Sequence, residues 1–146
     1  MKEALQEATK GFGEGEVPVG AVVVDSAGAI VARAHNQPIS LNDPCAHAEI
    51  LALRQAGIFY KNYRVEGVTL VVTMEPCLMC IGAAVHARVA RLVFGAPDPK
   101  GGAAGSLYNV PEDLTLNHRI EVIPGVLEEE CRKLLHDFFR LRRGKK

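Results

Sequence analysis

Apolar residues recur at helical spacing near both ends of the chain. Leu5, Ala8 and Phe12 lie three and four residues apart, which predicts an amphipathic helix over 2–13. Near the C-terminus a similar stripe predicts a longer amphipathic helix over 126–143. This second stripe consists of Leu127, Cys131, Leu134, Leu135 and Phe138.

Between these helices, five apolar runs have the composition of β-strands. They cover residues 17–25, 29–35, 68–73, 92–94 and 119–123. The short Ser26-Ala27-Gly28 connection predicts a hairpin between the first two strands. The run over 68–73 is continuous, which is typical of a central strand covered on both faces.

Two further helices are predicted between the later strands. The first covers 44–56, with Asp43 as its N-cap and Gly57 as its end. The second covers 76–86 and begins at a proline. Because helices alternate with strands, the pattern predicts an α/β layer structure with parallel strand pairing after the hairpin.

Length and composition narrow the class of protein. The chain has 146 residues, which fits one domain over 1–146. No apolar run is long enough to span a bilayer, and the charged N-terminal segment has no signal-peptide core. We therefore expect a cytoplasmic protein without a membrane partner. The formal net charge is zero, so attraction to nucleic acid has to come from a local basic cluster.

Two short segments carry candidate chemistry. The first contains His47 and Glu49, and the second contains Cys77 and Cys80. One imidazole and two thiolates suit Zn²⁺, and three protein ligands leave a fourth position for water, as in catalytic zinc sites. Glu49 supplies the carboxylate that such a water needs for proton transfer. The sequence therefore predicts one zinc ion per subunit, held by His47, Cys77 and Cys80.

The same residues have plainer interpretations when each is taken alone. Cys77 and Cys80 could form a redox pair of the thioredoxin type, although the proline precedes the first cysteine and does not lie between the two. His47 alone would be a core histidine, and Glu49 alone a solvated helix residue. The combination of the four residues favours zinc.

The other two cysteines lack partners at ligand spacing. Cys131 lies on the apolar stripe of the last helix, and both residues are expected to be small buried hydrophobes. Cys45 is close enough to His47 in sequence to leave a role near the metal open.

His-x-Glu followed by Pro-Cys-x-x-Cys is the signature of zinc-dependent nucleobase deaminases. Other segments resemble the bacterial tRNA-specific adenosine deaminases, a family within the zinc-dependent cytidine/deoxycytidylate deaminase superfamily. These segments are residues 16–22, Asn36 with 38–39, 47–50, 101–107, 117–119 and 137–143. The resemblance covers almost the whole chain and implies a three-layer α/β/α sandwich around a central five-stranded mixed sheet.

The resemblance also implies a reaction, the hydrolytic deamination of adenosine to inosine at the wobble position of a tRNA anticodon. Zinc-activated hydroxide attacks C6 of adenine, and Glu49 delivers a proton to N1 and then helps ammonia leave. The implied partner is the tRNA anticodon stem-loop. Members of the family are expected to be homodimers that complete each site with help from the neighbouring subunit.

Several substrate contacts follow from the same resemblance. Asn36 would hydrogen-bond the flipped base, and the backbone N–H of Ala48 would bind a polar edge of that base. The other implied contacts are Val17 and Met74 in the pocket wall, and Asp98 and Lys100 beside the flanking nucleotides.

The C-terminus supplies a local basic cluster on an otherwise neutral chain. The cluster consists of Arg140, Arg142, Arg143, Lys145 and Lys146. These side chains could grip phosphates on either side of a flipped base, while Phe138 and Phe139 add a stacking face and a core anchor. The alternative is a solvated chain end whose positive charge merely suits a helix C-terminus.

Two other functions compete with this one. A metabolic deaminase of free guanine, cytosine or cytidine would share zinc and Glu49 but would not need a basic C-terminal helix. A non-catalytic zinc protein would have no use for Glu49 as a general base.

Overall fold

A computed structural model describes residues 1–145, in which five strands form one sheet with helices on both faces. The strands are β1 (Gly20–Val24), β2 (Ile30–His35), β3 (Thr69–Met74), β4 (Arg91–Ala96) and β5 (Glu121–Ile123). The helices are α1 (Lys2–Gly13), α2 (Ala48–Tyr60), α3 (Leu78–His86) and α4 (Glu128–Gly144), and a 3-10 turn covers Val110–Glu112.

The sheet is mixed, with the strand order β2-β1-β3-β4-β5. β1 pairs antiparallel with both β2 and β3, whereas β3, β4 and β5 pair in parallel. The predicted hairpin and the predicted parallel pairing after it are therefore confirmed. In the hairpin turn, one oxygen of Asp25 accepts the backbone N–H groups of Ala27 and Ala29, and Gly28 takes the positive φ of 89° that closes the turn.

Alternate residues of β1 face opposite helical layers. Ala21 and Val23 belong to the core beneath α2 and α3, whereas Val22 packs with Ala4 of α1 on the other face. α4 lies beside α1, where the rings of Phe12 and Phe138 meet edge to face at 5.5 Å. Two helices thus cover each face of the sheet, which confirms the predicted α/β/α sandwich.

The boundaries of α2 differ from the predicted 44–56 at both ends. The carboxylate of Asp43 accepts the backbone N–H of Cys45 and stabilises a turn, so the helix begins only at Ala48, and the prediction of Asp43 as N-cap is wrong. Gly57 remains helical, and α2 instead ends where Lys61 adopts a left-handed φ of 53°.

The other differences are smaller and fall at element ends. α3 begins at Leu78 and not at the predicted Pro76, because Cys77 is its extended N-cap. α4 begins at Glu128, after Leu127 turns the chain with a φ of 51°. β1 starts three residues later than predicted and β5 two. Within residues 1–145, no helix combines the length and the apolar character needed to cross a membrane.

Candidate active site

The three predicted metal ligands lie where two helices begin. His47 is the N-cap of α2 and Cys77 is the N-cap of α3, both with extended backbone. Cys80 follows in the first turn of α3. Free backbone N–H groups and the helix dipole make a helix N-terminus electropositive, which favours the thiolate form of both cysteines. The two helix starts therefore bring the ligands together from segments about 30 residues apart in the chain.

The ligand atoms have the spacing of a tetrahedral zinc site. His47 Nδ1 lies 3.7 Å from the Sγ of Cys77 and 3.4 Å from the Sγ of Cys80, and all three ligand atoms lie within 4.8 Å of one another. Ordinary Zn–N and Zn–S bond lengths give tetrahedral N···S edges of about 3.6 Å. Both sulfurs face one imidazole nitrogen, which favours a metal centre over the redox-pair alternative.

The two thiols influence each other's pKa. A hydrogen bond from the Cys80 thiol, followed by one from His47, lowers the pKa of Cys77 to about 3. The neighbouring Cys77 and burial both raise the pKa of Cys80. Cys and His ligands bind a metal in their deprotonated forms, so a bound cation would favour the thiolate form of both cysteines. The donor set therefore fits zinc.

Glu49 is a buried carboxyl group beside these ligands. It lies in the first turn of α2, with 4% of its surface exposed, and lines the same pocket as His47 and Cys77. Burial raises the pKa of its carboxyl group above the ordinary value. A carboxyl group of raised pKa next to a metal centre is suited to accept and return protons near neutral pH.

The pocket around Glu49 has a volume of about 240 Å³. This is below the roughly 300–1,000 Å³ of pockets for drug-sized ligands, so it suits a single ring system better than a whole nucleotide. Larger depressions elsewhere, of about 270–500 Å³, contain none of the metal ligands. The residues that line the site pocket are Val17, Val19, Asn36, Pro38, His47, Glu49, Met74, Glu75, Cys77 and Asp98.

The backbone N–H of Ala48 has a different role from the predicted one. It donates a hydrogen bond of 2.8 Å to the side-chain oxygen of Asn36, so it is not free to bind a base. The contact instead fixes the orientation of the Asn36 amide and leaves its NH₂ group as the donor without a bond to Ala48. Asn36 itself lines the pocket, and its contact with the base stays a prediction.

The loop after β4 carries two residues that were predicted to contact substrate, Asp98 and Lys100, and only one of them lines the pocket. Asp98 lines the pocket, whereas Lys100 is exposed and outside it. The backbone N–H of Lys100 donates to the Asp98 carboxylate at 3.0 Å. Lys100 therefore does not line the pocket, and its contact with flanking nucleotides stays a prediction.

Phe138 of α4 was predicted to contact the substrate, but its side chain is buried. The Phe138 ring is 4% exposed and packs between Phe12 and the guanidinium group of Arg142. The prediction of Phe138 as a binding residue is therefore wrong, and of the two aromatic residues Phe138 is the one that anchors α4 in the core. The neighbouring Phe139 is the exposed aromatic residue of the helix.

The basic residues of α4 are not equally available. Arg142 donates a hydrogen bond of 2.8 Å to the carbonyl oxygen of Gly15, and Arg140 pairs with Asp137 at 3.4 Å. Arg143 and Lys145 are exposed and have no ion pair within residues 1–145. Lys146 lies outside the described residues.

The remaining cysteines stay outside the ligand set. Cys131 is buried against the backbone of β4, as predicted. Cys45 is exposed, so its prediction as a buried hydrophobe is wrong. The turn that Asp43 stabilises holds Cys45 at the surface.

Two buried carboxylates near the pocket escaped the sequence analysis. Glu16 accepts the backbone N–H groups of Ile39 and Ser40 in the loop before α2. Glu75 accepts hydrogen bonds from the loop after β4. The signal for Glu75 was its position directly after a continuous apolar run, which is typical of a strand covered on both faces.

Comparisons with known proteins agree with this site. Residues 1–96 match the model of the cytidine and deoxycytidylate deaminase zinc-binding region. The whole chain is 51% identical to a tRNA-specific adenosine deaminase of Bacillus subtilis, of which it covers 90%, and 50% identical to one of Haemophilus influenzae, of which it covers 84%.

Solved structures show the same relationship. A chain from a study of A-to-I editing by tRNA:A34 deaminases superimposes with a TM-score of 0.88 and 42% identity, covering 92% of this chain and 96% of that one. A guanine deaminase from Nitrosomonas europaea gives a TM-score of 0.77 at 26% identity, covering 92% of this chain and 80% of that one.

The fold and the site together define a zinc-dependent hydrolytic deaminase. The chain belongs to the cytidine and deoxycytidylate deaminase zinc-binding family. The prediction of zinc as the cofactor is confirmed by this family and by the cluster of His47, Cys77 and Cys80.

Proposed function

We propose that the enzyme converts adenosine to inosine at the wobble position of a tRNA anticodon. The observation that carries the chemistry is the buried Glu49 beside the His47, Cys77 and Cys80 cluster in a pocket of single-base size. The substrate comes from the tRNA-specific adenosine deaminases, which match the chain over its whole length at about 50% identity.

The chemistry divides between the metal and Glu49. When bound, zinc supplies a nucleophile at neutral pH by lowering the pKa of a water molecule to about 7. With zinc in place, the Glu49 carboxylate would accept one proton from the attacking water and deliver it to N1 of adenine as the water oxygen bonds to C6. Its second transfer moves the remaining water proton to the departing amino group, which leaves as ammonia. The oxygen and one proton of the water stay in inosine.

The rest of the pocket holds and orients the base. The Asn36 amide, fixed by Ala48, is directed to donate to an acceptor atom of the purine ring. Val17 and Met74 contribute apolar walls on which the ring can pack. Because the pocket admits one ring system, the target base has to leave its stack, and in a single-stranded loop this costs only a few kcal/mol.

Recognition of the surrounding RNA falls to surface groups. Lys100 is exposed beside the pocket, and Arg143 and Lys145 are exposed at the end of α4. These charges contact phosphates of the anticodon stem-loop, and Phe139 offers an exposed ring for base stacking.

A deaminase of free nucleobases or nucleosides is the alternative. The guanine deaminase structures share the fold at about 26% identity, whereas the tRNA-specific relatives reach 51%. Sequence identity therefore favours the tRNA substrate, and the alternative would leave the exposed basic end of α4 without a role.

The decisive experiment is to incubate the zinc-loaded enzyme with unmodified tRNA and to sequence the product. Inosine reads as guanosine, so an adenosine-to-guanosine change confined to the wobble position is expected. Ammonia release from free guanine, cytosine, cytidine and adenosine serves as the parallel assay. Ammonia from a free base together with unchanged tRNA would reject the proposal in favour of the alternative.

We also propose that two copies of the chain form a homodimer in the cytoplasm. The end of α2 and the loop after it expose large apolar side chains, Ile58, Phe59 and Tyr63. Exposed apolar clusters of this kind are typical of interaction surfaces. A formal net charge of zero adds no repulsion between two copies. All four cysteines are free thiols, as expected in a reducing compartment.

Sedimentation equilibrium tests the dimer. Ile58 is 79% exposed in the monomer, so Ile58→Lys should leave the fold intact and shift the mass from dimer to monomer. Leu114→Lys is the matched control, since Leu114 is 78% exposed on a different surface loop. Dimeric Ile58→Lys, or monomeric wild-type protein, would contradict the proposed interface.

A further inference from the structure

Glu75 carries a buried carboxylate next to the metal site. The proposed reaction does not use this carboxylate. It follows β3 directly, lies two residues before Cys77, and is 3% exposed. Its oxygens accept the backbone N–H groups of Asp98, Ala104 and Ser106 at 3.0–3.1 Å, and also the Ser106 hydroxyl. No cation faces it in these contacts, so backbone and hydroxyl donors alone satisfy the carboxylate.

These donors come from both ends of one loop, which we call the clamp loop (residues 97–106). The loop folds around the carboxylate so closely that a Cβ at Gly102 would collide with Glu75. The backbone of the strand end is tied in as well, because the Glu75 N–H donates to the Ala96 carbonyl at 2.9 Å. Glu75 therefore fixes the clamp loop to the segment that leads into α3.

The clamp loop reaches the substrate pocket through Asp98. Asp98 lines the pocket, and its backbone N–H donates to Oε1 of Glu75 at 3.1 Å. Its carboxylate in turn holds the backbone of the exposed Lys100. A single carboxylate thus sets the position of Asp98, which lines the pocket, and through it the backbone of the exposed Lys100.

We propose that Glu75 is a positioning residue for substrate: through the clamp loop it holds Asp98 at the mouth of the pocket, where the nucleotides next to the target base bind. The proposal rests on the proposed function in RNA deamination. It assigns to Glu75 an effect on RNA binding that is separate from the chemistry of Glu49 and from the metal ligands.

Glu75→Gln removes this function selectively because the side chain keeps its shape and loses one acceptor. The NH₂ group can replace Oε2, where it would face the N–H groups of both Ala104 and Ser106. It can instead replace Oε1, where the Ser106 hydroxyl can turn to accept from it. The second orientation opposes only one N–H, that of Asp98. The variant is therefore expected to release the end of the loop that carries Asp98.

The experiment compares wild type, Glu75→Gln and Val65→Ala on an RNA hairpin that carries the anticodon loop. Glu75→Gln should raise KM and the Kd for RNA by about tenfold, which corresponds to the free energy of one hydrogen bond to a charged group. The value of kcat should change less than about threefold, and the zinc content should not change. Val65→Ala is the control for lost stability, because Val65 is buried before the opposite end of β3 from the pocket. It should lower the melting temperature without changing KM.

A double-mutant cycle with Asp98→Asn locates the effect. If Glu75 acts through Asp98, Glu75→Gln should change KM by less than about twofold in the Asp98→Asn background. Unchanged KM in Glu75→Gln, loss of zinc from it, or an equal rise of KM in Val65→Ala would overturn the inference. Wild-type enzyme that makes no inosine would instead reject the proposed function, so the two failures are distinguishable.

Discussion

Ionisable residues are buried or partly buried in the metal pocket, whereas those at the end of the C-terminal helix are exposed to solvent. In the pocket, His47, Cys77 and Glu49 are wholly or partly buried and are held by the first turns of α2 and α3. On α4, Arg143 and Lys145 are exposed and lie in its last turn and just beyond it. The pocket is preorganised by packing, whereas the helix end offers long flexible side chains to solvent.

This difference separates two kinds of contribution. Buried groups in fixed geometry provide transition-state interactions, and each is expected to carry a large share of the rate. Exposed cations act through a screened, additive attraction to phosphates. Substitutions in the two regions should therefore differ in size, in salt dependence and in whether they change the chemistry or the binding step.

The largest effect is expected from Cys80→Ser. A serine hydroxyl does not ionise at neutral pH, so the site loses one of its two anionic ligands and, with it, zinc and all deamination. Metal analysis of the purified protein and inosine formation measure the two losses. Cys45→Ser is the matched control, because Cys45 is an exposed thiol nearby in sequence, and it should retain about one zinc per chain. Full zinc content in Cys80→Ser would remove Cys80 from the ligand set.

The second-largest effect is expected from Glu49→Ala. The variant should retain zinc, and its rate of inosine formation should fall by at least about 10²–10⁴-fold, which is the range of general acid–base catalysis. Glu49→Gln repeats the test without leaving a cavity in the pocket. Single-turnover kinetics with saturating enzyme separate this loss from weaker binding. An active Glu49→Gln enzyme would show that the proton transfers use another group.

Phe138→Ala should be a stability mutation and Phe139→Ala a binding mutation. Phe138 is buried against Phe12, so its truncation is expected to cost about 3–5 kcal/mol of unfolding free energy. Phe139 is exposed, and its truncation should change stability by less than about 0.5 kcal/mol while weakening RNA binding. Urea denaturation and RNA titration give the two numbers, and the reverse pattern would restore Phe138 as a stacking residue.

The smallest effect is expected from replacing Arg143 and Lys145 by glutamine. Loss of two phosphate contacts should weaken RNA binding and reduce the slope of log Kd against log salt concentration by about 1.4, as for single-stranded nucleic acid. The single-turnover rate at saturation should not change. Lys2→Gln provides a control with an exposed cation on α1. An unchanged salt slope in the double variant would place the RNA elsewhere on the surface.

The sequence was most informative where one short pattern determines both structure and chemistry. The continuous apolar run before Glu75 predicted the central strand β3, and Cys77 and Cys80 were placed at a helix start because Pro76 directly precedes them. The hairpin followed from its short turn. These features depend on neighbours in the chain, which periodicity and spacing can report.

The errors concern contacts between distant segments. Nothing near Ala48 indicates that its N–H is taken by Asn36, twelve residues earlier. The amphipathic stripe of α4 correctly includes Phe138, but a helical stripe does not say which aromatic residue of a neighbouring pair another helix covers. The start of α2 was missed because the side chain of Asp43 forms a turn with Cys45 in place of a helix cap.

The ligands of the zinc site come from two helices that the chain connects through about 30 intervening residues. A metal ion held by both helix starts is therefore a cross-link, which removes conformational freedom from partly opened forms of the protein. Chains that have not acquired zinc should open more often at these helix starts and be degraded faster. At a given level of gene expression, the amount of this enzyme in a cell would then rise with the supply of zinc.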